Sequence, residues 1–288
     1  MTTSDLSTKI QADVCSDQAG RISLLVGTPC TQTGITETFL HSALALQRHC
    51  ASIGWDVRIA TRADGLVTRT RNVFGSLMVN SDAYTHLLMV DADIGFDPLV
   101  VERLVRSGHD LVGACVPLRE VKWGSVGASL KDLPDPQPNE LQAMSHGYAV
   151  SFLHPAHEGG RVSPVFGFLP VRFIGSAMLL ASRRVFVQLA QSDLVTAYET
   201  GAPGPDGDQN GWTFFDPMVD PQGKLYLSED YAFCYRWRAL GGTVWADLRS
   251  QNTHCGLVTV AGDMALSLKT AARYTGSKPP VAPSTLVD

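Results

Sequence analysis

An apolar run, Leu87-Leu88-Met89-Val90, ends in two carboxylates separated by one small residue, Asp91-Ala92-Asp93. Residues two apart on a strand share a face, and where the strand turns both can reach one divalent cation. Mg²⁺ and Mn²⁺ take carboxylate and phosphate oxygens, so such a pair commonly serves a phosphorylated substrate. Two solvated aspartates at a strand end fit the same three residues, and a motif this short does not choose between the two.

Three other places carry candidate chemistry. A helix expected over Leu66 to Val79 has an apolar stripe of Val67, Thr70, Phe74, Leu77 and Met78, and Arg71 falls inside it. A buried guanidinium needs an anion, either a carboxylate of the chain or a phosphate of a ligand. Asn72 and Arg69 lie beside it. Ser228 is a good helix N-cap, which puts Glu229 and Asp230 in the first turn, where the helix dipole favours acids whether or not they have a function. His254, in Thr253-His254-Cys255-Gly256, reads by itself as a loop histidine. Two tempting patterns fail. The stretch from Asp206 to Gly211 matches half of an EF-hand loop, but position twelve falls on Pro217. His154-Pro155-Ala156-His157-Glu158 has a proline inside what a zinc-protease motif needs as a helix.

Alternating strands and helices must hold these residues. Ile22 to Val26 is a buried strand stopped by Gly27-Thr28-Pro29, and Thr36 or Thr38 opens a helix ending near Gly54. Trp55 to Ala60 is a second strand, and after the Leu66 to Val79 helix comes the strand His86 to Val90. Asp97-Pro98 caps a helix closed by Gly108, and Asp110 to Val116 is a fourth strand. This rhythm implies a mostly parallel sheet with nucleotide-binding topology and ligands at its carboxyl edge. Further on, Tyr148 to Leu153 and Val171 to Leu180 read as strands, Ser182 to Ala190 and Ser228 to Leu240 as helices, and Val244 to Ala246 as a last strand. Lys131 to Pro138 and Gly201 to Gly211 are proline- or glycine-rich loops.

The 288 residues carry a formal net charge of -5 and 44% hydrophobic residues, an ordinary soluble composition that excludes disordered and fibrous classes. That charge predicts no strong nonspecific nucleic-acid binding. With no apolar stretch long enough to span a bilayer and no signal-peptide core, the expected location is cytoplasmic, without a transmembrane segment. Six scattered cysteines (Cys15, Cys30, Cys50, Cys115, Cys234, Cys255) lack CxxC spacing and read as reduced thiols.

Taken in order, Thr28-Pro29, Arg71-Asn72, Met89-Val90-Asp91-Ala92-Asp93, Phe173-Ile174-Gly175-Ser176, Ser228-Glu229-Asp230 and Thr253-His254-Cys255-Gly256 resemble the GT-A glycosyltransferases, family-2-like members with an Asp-X-Asp motif. The likeness covers roughly residues 21 to 257, and its specificity lies in the joint order of short elements. It implies an α/β fold, a single Rossmann-like nucleotide-binding domain with a mostly parallel central sheet flanked by helices, over 21–275. A 1–20 extension precedes it and a disordered 276–288 tail follows.

It also implies a nucleotide-sugar donor as co-substrate, with Mn²⁺ or Mg²⁺ bridging its diphosphate, and an acceptor glycan or other hydroxyl-bearing acceptor. On that likeness Asp93 and His254 are metal ligands, and Asp91 touches metal, ribose or donor sugar. Thr28 and Pro29 border the nucleobase, Arg71 and Asn72 lie in the donor region, and Gly175 admits the sugars closely. Asp230 is the base of an inverting transfer, with Glu229 binding acceptor or donor sugar. Trp212, Phe214 and Phe215 offer flat faces for a sugar, although aromatics of this kind more commonly fill a core. Two other readings compete: a haloacid-dehalogenase-type phosphatase with Asp91 as nucleophile, and a catalytically inactive nucleotide-sugar binding module.

Overall fold

A computed structural model describes residues 21–30, 34–130, 137–153, 164–200, 210–256 and 264. The first half alternates strand and helix except where β4 follows β3 directly: β1 (Ser23–Cys30), α1 (Glu37–Ser52), β2 (Asp56–Ala63), α2 (Val67–Asn80), β3 (His86–Val90), β4 (Ile94–Phe96), α3 (Pro98–Arg106) and β5 (Leu111–Ala114). Next come α4 (Trp123–Ser129), α5 (Pro138–Ser145), β6 (Val150–Phe152), β7 (Phe168–Ile174), β8 (Met178–Ser182) and α6 (Arg183–Ala190). The chain continues through β9 (Ala197–Glu199), β10 (Asn210–Trp212), β11 (Met218–Val219), β12 (Tyr226–Leu227), α7 (Glu229–Ala239), β13 (Val244–Asp247) and β14 (Asn252–His254).

An eight-stranded sheet in the order β2-β1-β3-β8-β5-β13-β7-β6 forms the centre. β1 pairs in parallel with β2 and β3, and β5 with β13. β8 is antiparallel to β3 and β5, and β7 to β13 and β6. The sheet is therefore mainly parallel in direction, with β8 and β7 running against the rest. Both faces are covered, as the continuous apolar reading of its strands requires. Leu87 and Met89 of β3 pack on one side with Phe74, Phe186 and Phe233, while Leu88 and Val90 pack on the other with Phe39, Leu46 and Val101. The period-2 alternation of one short strand thus serves two cores.

Two expected strands differ. β1 does not stop at Gly27: it pairs with β2 as far as Cys30, but with β3 only as far as Gly27. Pro29 therefore lies where β1 has a single neighbour, the place a sheet tolerates a residue without an N–H. The strand expected over Val171 to Leu180 is two strands broken at Gly175-Ser176-Ala177, because β8 inserts between β3 and β5 while β7 lies beyond β13.

By its contacts the chain divides into a unit through Cys255 and a second unit from Gly256 to Asp288. Of the second, only Gly256 and Met264 are among the described residues, so the expected 276–288 tail lies outside them, as do the 1–20 extension, most of both loops and the His154 to Glu158 stretch. Cys30, Cys50, Cys115, Cys234 and Cys255 are free thiols, and burial pushes Cys234 up to about 12. Among the described residues no helix is long and apolar enough to cross a membrane.

A small ribbon carries β14 to the site. β14 pairs antiparallel with β4, placing His254 opposite Ile94 and Thr253 opposite Gly95. A Cβ at Gly95 would lie 2.2 Å from Thr38 Cγ2 and 2.3 Å from Thr253 Oγ1. Both contacts are on stiff β-branched side chains that cannot swing away. Gly95→Ala is expected to cost about 1–3 kcal/mol of stability by overpacking, read as a lower urea midpoint with an unchanged slope.

Candidate active site

The carboxyl end of β3 gives way to a turn held by backbone bonds. Asp91 N donates to Ala177 O at 3.0 Å, and Ile94 N donates to Asp91 O at 3.2 Å. Thr36, the N-cap of α1, donates its N–H to Ala92 O at 2.9 Å and its hydroxyl to the same oxygen at 3.1 Å. Its Oγ1 also accepts from Phe39 N, so the cap ties the helix start to the Asp-X-Asp turn. The two aspartates are fixed by the main chain and point to different partners.

Asp93 faces His254. Cys255 N donates to Asp93 O at 2.8 Å, and His254 Nε2 lies 3.5 Å from Asp93 Oδ2. His254 Nδ1 lies 2.7 Å from Pro117 O. A carbonyl only accepts, so the hydrogen-bond network assigns the ring proton to Nδ1, and in the neutral ring the Nε2 lone pair is left on the Asp93 side. A histidine locked this way by a backbone carbonyl is how metal-binding imidazoles are commonly oriented. Asp93 and His254 would supply a carboxylate and an imidazole to a divalent cation, the carboxylate being the donor that suits Mn²⁺. Among the described residues no group of three or more His, Cys, Asp or Glu assembles for a metal. Asp93 and His254 are brought together, while Asp91 turns to an arginine.

That arginine is Arg71, only 3% exposed. It donates from Nη2 to Asp91 Oδ1 at 2.6 Å and from Nη1 to Glu229 Oε1. Burial alone lowers its pKa, and the Asp91 and Glu229 carboxylates more than offset this, holding it above the usual arginine value. The buried guanidinium finds its anions inside the chain, and both are residues of the candidate site. Arg71 Nε, also buried, has no hydrogen-bond partner.

Asp230 follows Glu229 in the first turn of α7. Its Oδ1 accepts from Ser228 Oγ and, at 2.8 Å, from Tyr231 N. Its Oδ2 faces Gly175, where a Cβ would come within 3.5 Å of it and 3.0 Å of Ala149 Cβ. The missing side chain at Gly175 leaves Asp230 Oδ2 without a side-chain neighbour from that position. Gly175, Ala177, Pro117 and His254 also line a cavity of about 40 Å³. Arg71 joins Asp91 to Glu229, and this cavity joins Gly175 to His254, so the residues form one continuous region.

The remaining candidates behave differently. Thr28 is fully buried at the end of β1 and its hydroxyl has no partner, an orphaned polar atom of the kind a binding site leaves. Pro29 sits next to it. Asn72 holds protein: its amide donates to Asp216 Oδ1 at 2.7 Å and its carbonyl accepts from Phe215 N at 2.7 Å. Trp212, Phe214 and Phe215 are core, not open faces for a sugar. Phe214 meets Phe186 edge-on at 5.2 Å, and Phe215 stacks on Phe233 at 4.3 Å. Arg119, which no sequence pattern singled out, donates to Asp93 Oδ2 at 3.1 Å. An arginine in a loop after a strand gives no periodicity or motif by which to find it.

Fold and site together define an α/β protein with paired carboxylates and a histidine at the carboxyl edge of its central sheet. No protein-family model and no curated protein matches the chain. Similar solved structures include the A197 protein from STIV, at 14% identity and a TM-score of 0.42, covering 82% of this chain and 86% of that one. They also include GalNAc-T7 with UDP, GalNAc and Mn²⁺, at 10% identity and a TM-score of 0.42, covering 90% of this chain and 46% of that one. A third is a Drosophila β-1,4-galactosyltransferase 7 mutant in complex with manganese, UDP-Gal and xylobiose. It is 14% identical with a TM-score of 0.33, covering 93% of this chain and 78% of that one.

Proposed function

We infer that the protein is a metal-dependent glycosyltransferase of GT-A architecture, transferring a sugar from a nucleotide-diphosphate donor to an acceptor hydroxyl with inversion. The observation that carries this reading is the pair of hydrogen bonds from Arg71, which ties Asp91 of the Asp-X-Asp turn to Glu229 beside Asp230. A metal-competent pair, Asp93 with His254, and the Asp230 carboxylate, whose Oδ2 faces Gly175, are held in one site.

In this mechanism the acceptor oxygen attacks the anomeric carbon from the face opposite the diphosphate. As that bond forms, the bond from the anomeric carbon to the diphosphate oxygen breaks, and the nucleoside diphosphate leaves with the electron pair. The acceptor proton passes to Asp230 Oδ2, while Oδ1 stays anchored by Ser228 and Tyr231. When bound by Asp93 and His254, Mn²⁺ or Mg²⁺ supplies charge neutralisation for the leaving diphosphate. Thr28 and Pro29 border the nucleobase, where the orphaned Thr28 hydroxyl supports a polar ligand. Gly175 leaves room for the sugars, and the catalytic domain is assigned to 21–275.

The test is a thermal-shift panel of UDP, GDP, ADP, CDP and TDP and their sugars, with and without Mn²⁺. A ligand at 100 times its Kd stabilises the native state by about 2.7 kcal/mol, a shift such a panel detects. At least one nucleotide is expected to raise Tm only when the metal is present. If none does in any metal, the transferase reading falls.

A further inference from the structure

Arg119 lies on the segment between β5 and α4, and its Nη1 donates to Asp93 Oδ2, the same carboxylate oxygen that His254 Nε2 approaches at 3.5 Å. A positively charged group therefore stands where the two metal-competent donors converge. The backbone around it is pinned. Leu118 N donates to Gly147 O at 2.8 Å, Lys122 N donates to Ser145 O at 2.7 Å, and Pro117 O accepts from His254. The Arg119 side chain is not pinned: it is 55% exposed and holds Asp93 by one nitrogen.

Arg71 and Arg119 differ in this respect. Arg71 is buried with two carboxylates and has nowhere to go, whereas Arg119 makes an exposed pair of the kind that contributes little to stability and is easily exchanged. A divalent cation at Asp93 would compete with the guanidinium for that carboxylate oxygen and, being of like charge, repel it. The released fork, on a fixed backbone at the edge of the same site, is matched in shape and charge to two phosphate oxygens.

We propose that Arg119 is the exchangeable cation of this site, covering Asp93 when no metal is bound and, once metal displaces it, binding the diphosphate of the donor. The assignment rests on the glycosyltransferase reading and adds to it a phosphate-binding residue that no motif marks.

The experiment measures two affinities on the full chain, for wild type, Arg119→Gln and Arg119→Lys. The first is for Mn²⁺ alone, by electron paramagnetic resonance of the free ion. The second is for UDP, GDP, ADP, CDP and TDP in saturating Mn²⁺, by calorimetry. In Arg119→Gln, Mn²⁺ alone is expected to bind tighter by up to about fivefold, the worth of an exposed ion pair that no longer competes. Nucleoside diphosphate is expected to bind weaker by about tenfold or more, the worth of a charge-assisted hydrogen bond. Arg119→Lys, which keeps the charge and loses the fork, should fall between.

A variant that binds Mn²⁺ more weakly than wild type, or nucleoside diphosphate equally well, overturns the assignment while leaving the transferase reading intact. A wild-type protein that binds no nucleoside diphosphate with Mn²⁺ overturns the transferase reading itself, and the assignment with it. The Arg119 side chain is exposed, and an unchanged urea midpoint in both variants separates these outcomes from misfolding.

Discussion

Asp230→Asn is expected to lower sugar transfer by about 10²–10⁴-fold, the contribution of a positioned general base, while nucleotide binding in Mn²⁺ stays at the wild-type level. Asparagine keeps the size of the side chain and an acceptor oxygen, so the bonds from Ser228 Oγ and Tyr231 N to Oδ1 can persist. What changes is the atom facing Gly175, an amide nitrogen whose lone pair is delocalised into the carbonyl and does not take a proton. The pairing with Asp93→Ala makes the result diagnostic. That variant should lose metal-dependent nucleotide binding altogether, because His254 alone is left to hold the ion. Turnover measured at saturating donor, with binding measured separately, distinguishes the two roles. If Asp230→Asn loses donor binding in step with activity, Asp230 contacts the donor and is not the base.

Much of this candidate site is legible in the sequence, for reasons that differ from residue to residue. Asp91 and Asp93 announce themselves because a buried parallel strand is a run of apolar residues, and where it ends in acids the period itself points at the sheet edge. Arg71 is legible because a charge in an apolar stripe must be paired, although the sequence left open whether the partner belonged to chain or ligand. The structure answers with Asp91 and Glu229, residues 20 and 158 positions away, and no local rule reaches the second of them. The helix starts at Asp97 and Ser228 are readable from residue type, but only Asp97 caps with its side chain, accepting from Leu99 N at 2.8 Å, while the Ser228 hydroxyl donates to Asp230.

What failed to read out was long-range. Val171 to Leu180 is apolar enough to look like one strand, and only the insertion of β8 between β3 and β5 shows why it must break at Gly175. Trp212, Phe214 and Phe215 look the same in sequence whether they line a sugar site or fill a core. Their fate is decided by Asn72, whose amide grips residues 215 and 216 and draws the segment onto α2. The lock on His254 depends on a backbone carbonyl at Pro117, and a carbonyl carries no sequence signal. Order along the chain thus exposes the carboxylates, and topology decides which of them share a partner.

Arg71→Met is expected to be the most destabilising substitution in the site and to disable it as well. Methionine fits the volume of the buried stem, so little cavity is created, and the effect isolates the guanidinium. Its loss leaves the Asp91 and Glu229 carboxylates facing one another without the charge between them. Removing one member of a buried ion pair typically costs about 3–5 kcal/mol, and because both carboxylates keep some access to water the lower end, about 3 kcal/mol, applies here. Against a total stability of about 5–15 kcal/mol that is a large fraction, visible as a lower urea midpoint at constant slope. Arg71→Lys should recover only part of it, since one ammonium cannot fork to two carboxylates on different elements. The functional consequence is separable by temperature. Well below its own Tm the methionine variant is folded, yet the Asp-X-Asp turn and the start of α7 are no longer tied together, so metal-dependent nucleotide binding and transfer should both fall. Full activity in the folded variant would mean that the bridge stabilises the fold without positioning the site, and that Arg71 does not unite the two carboxylate pairs.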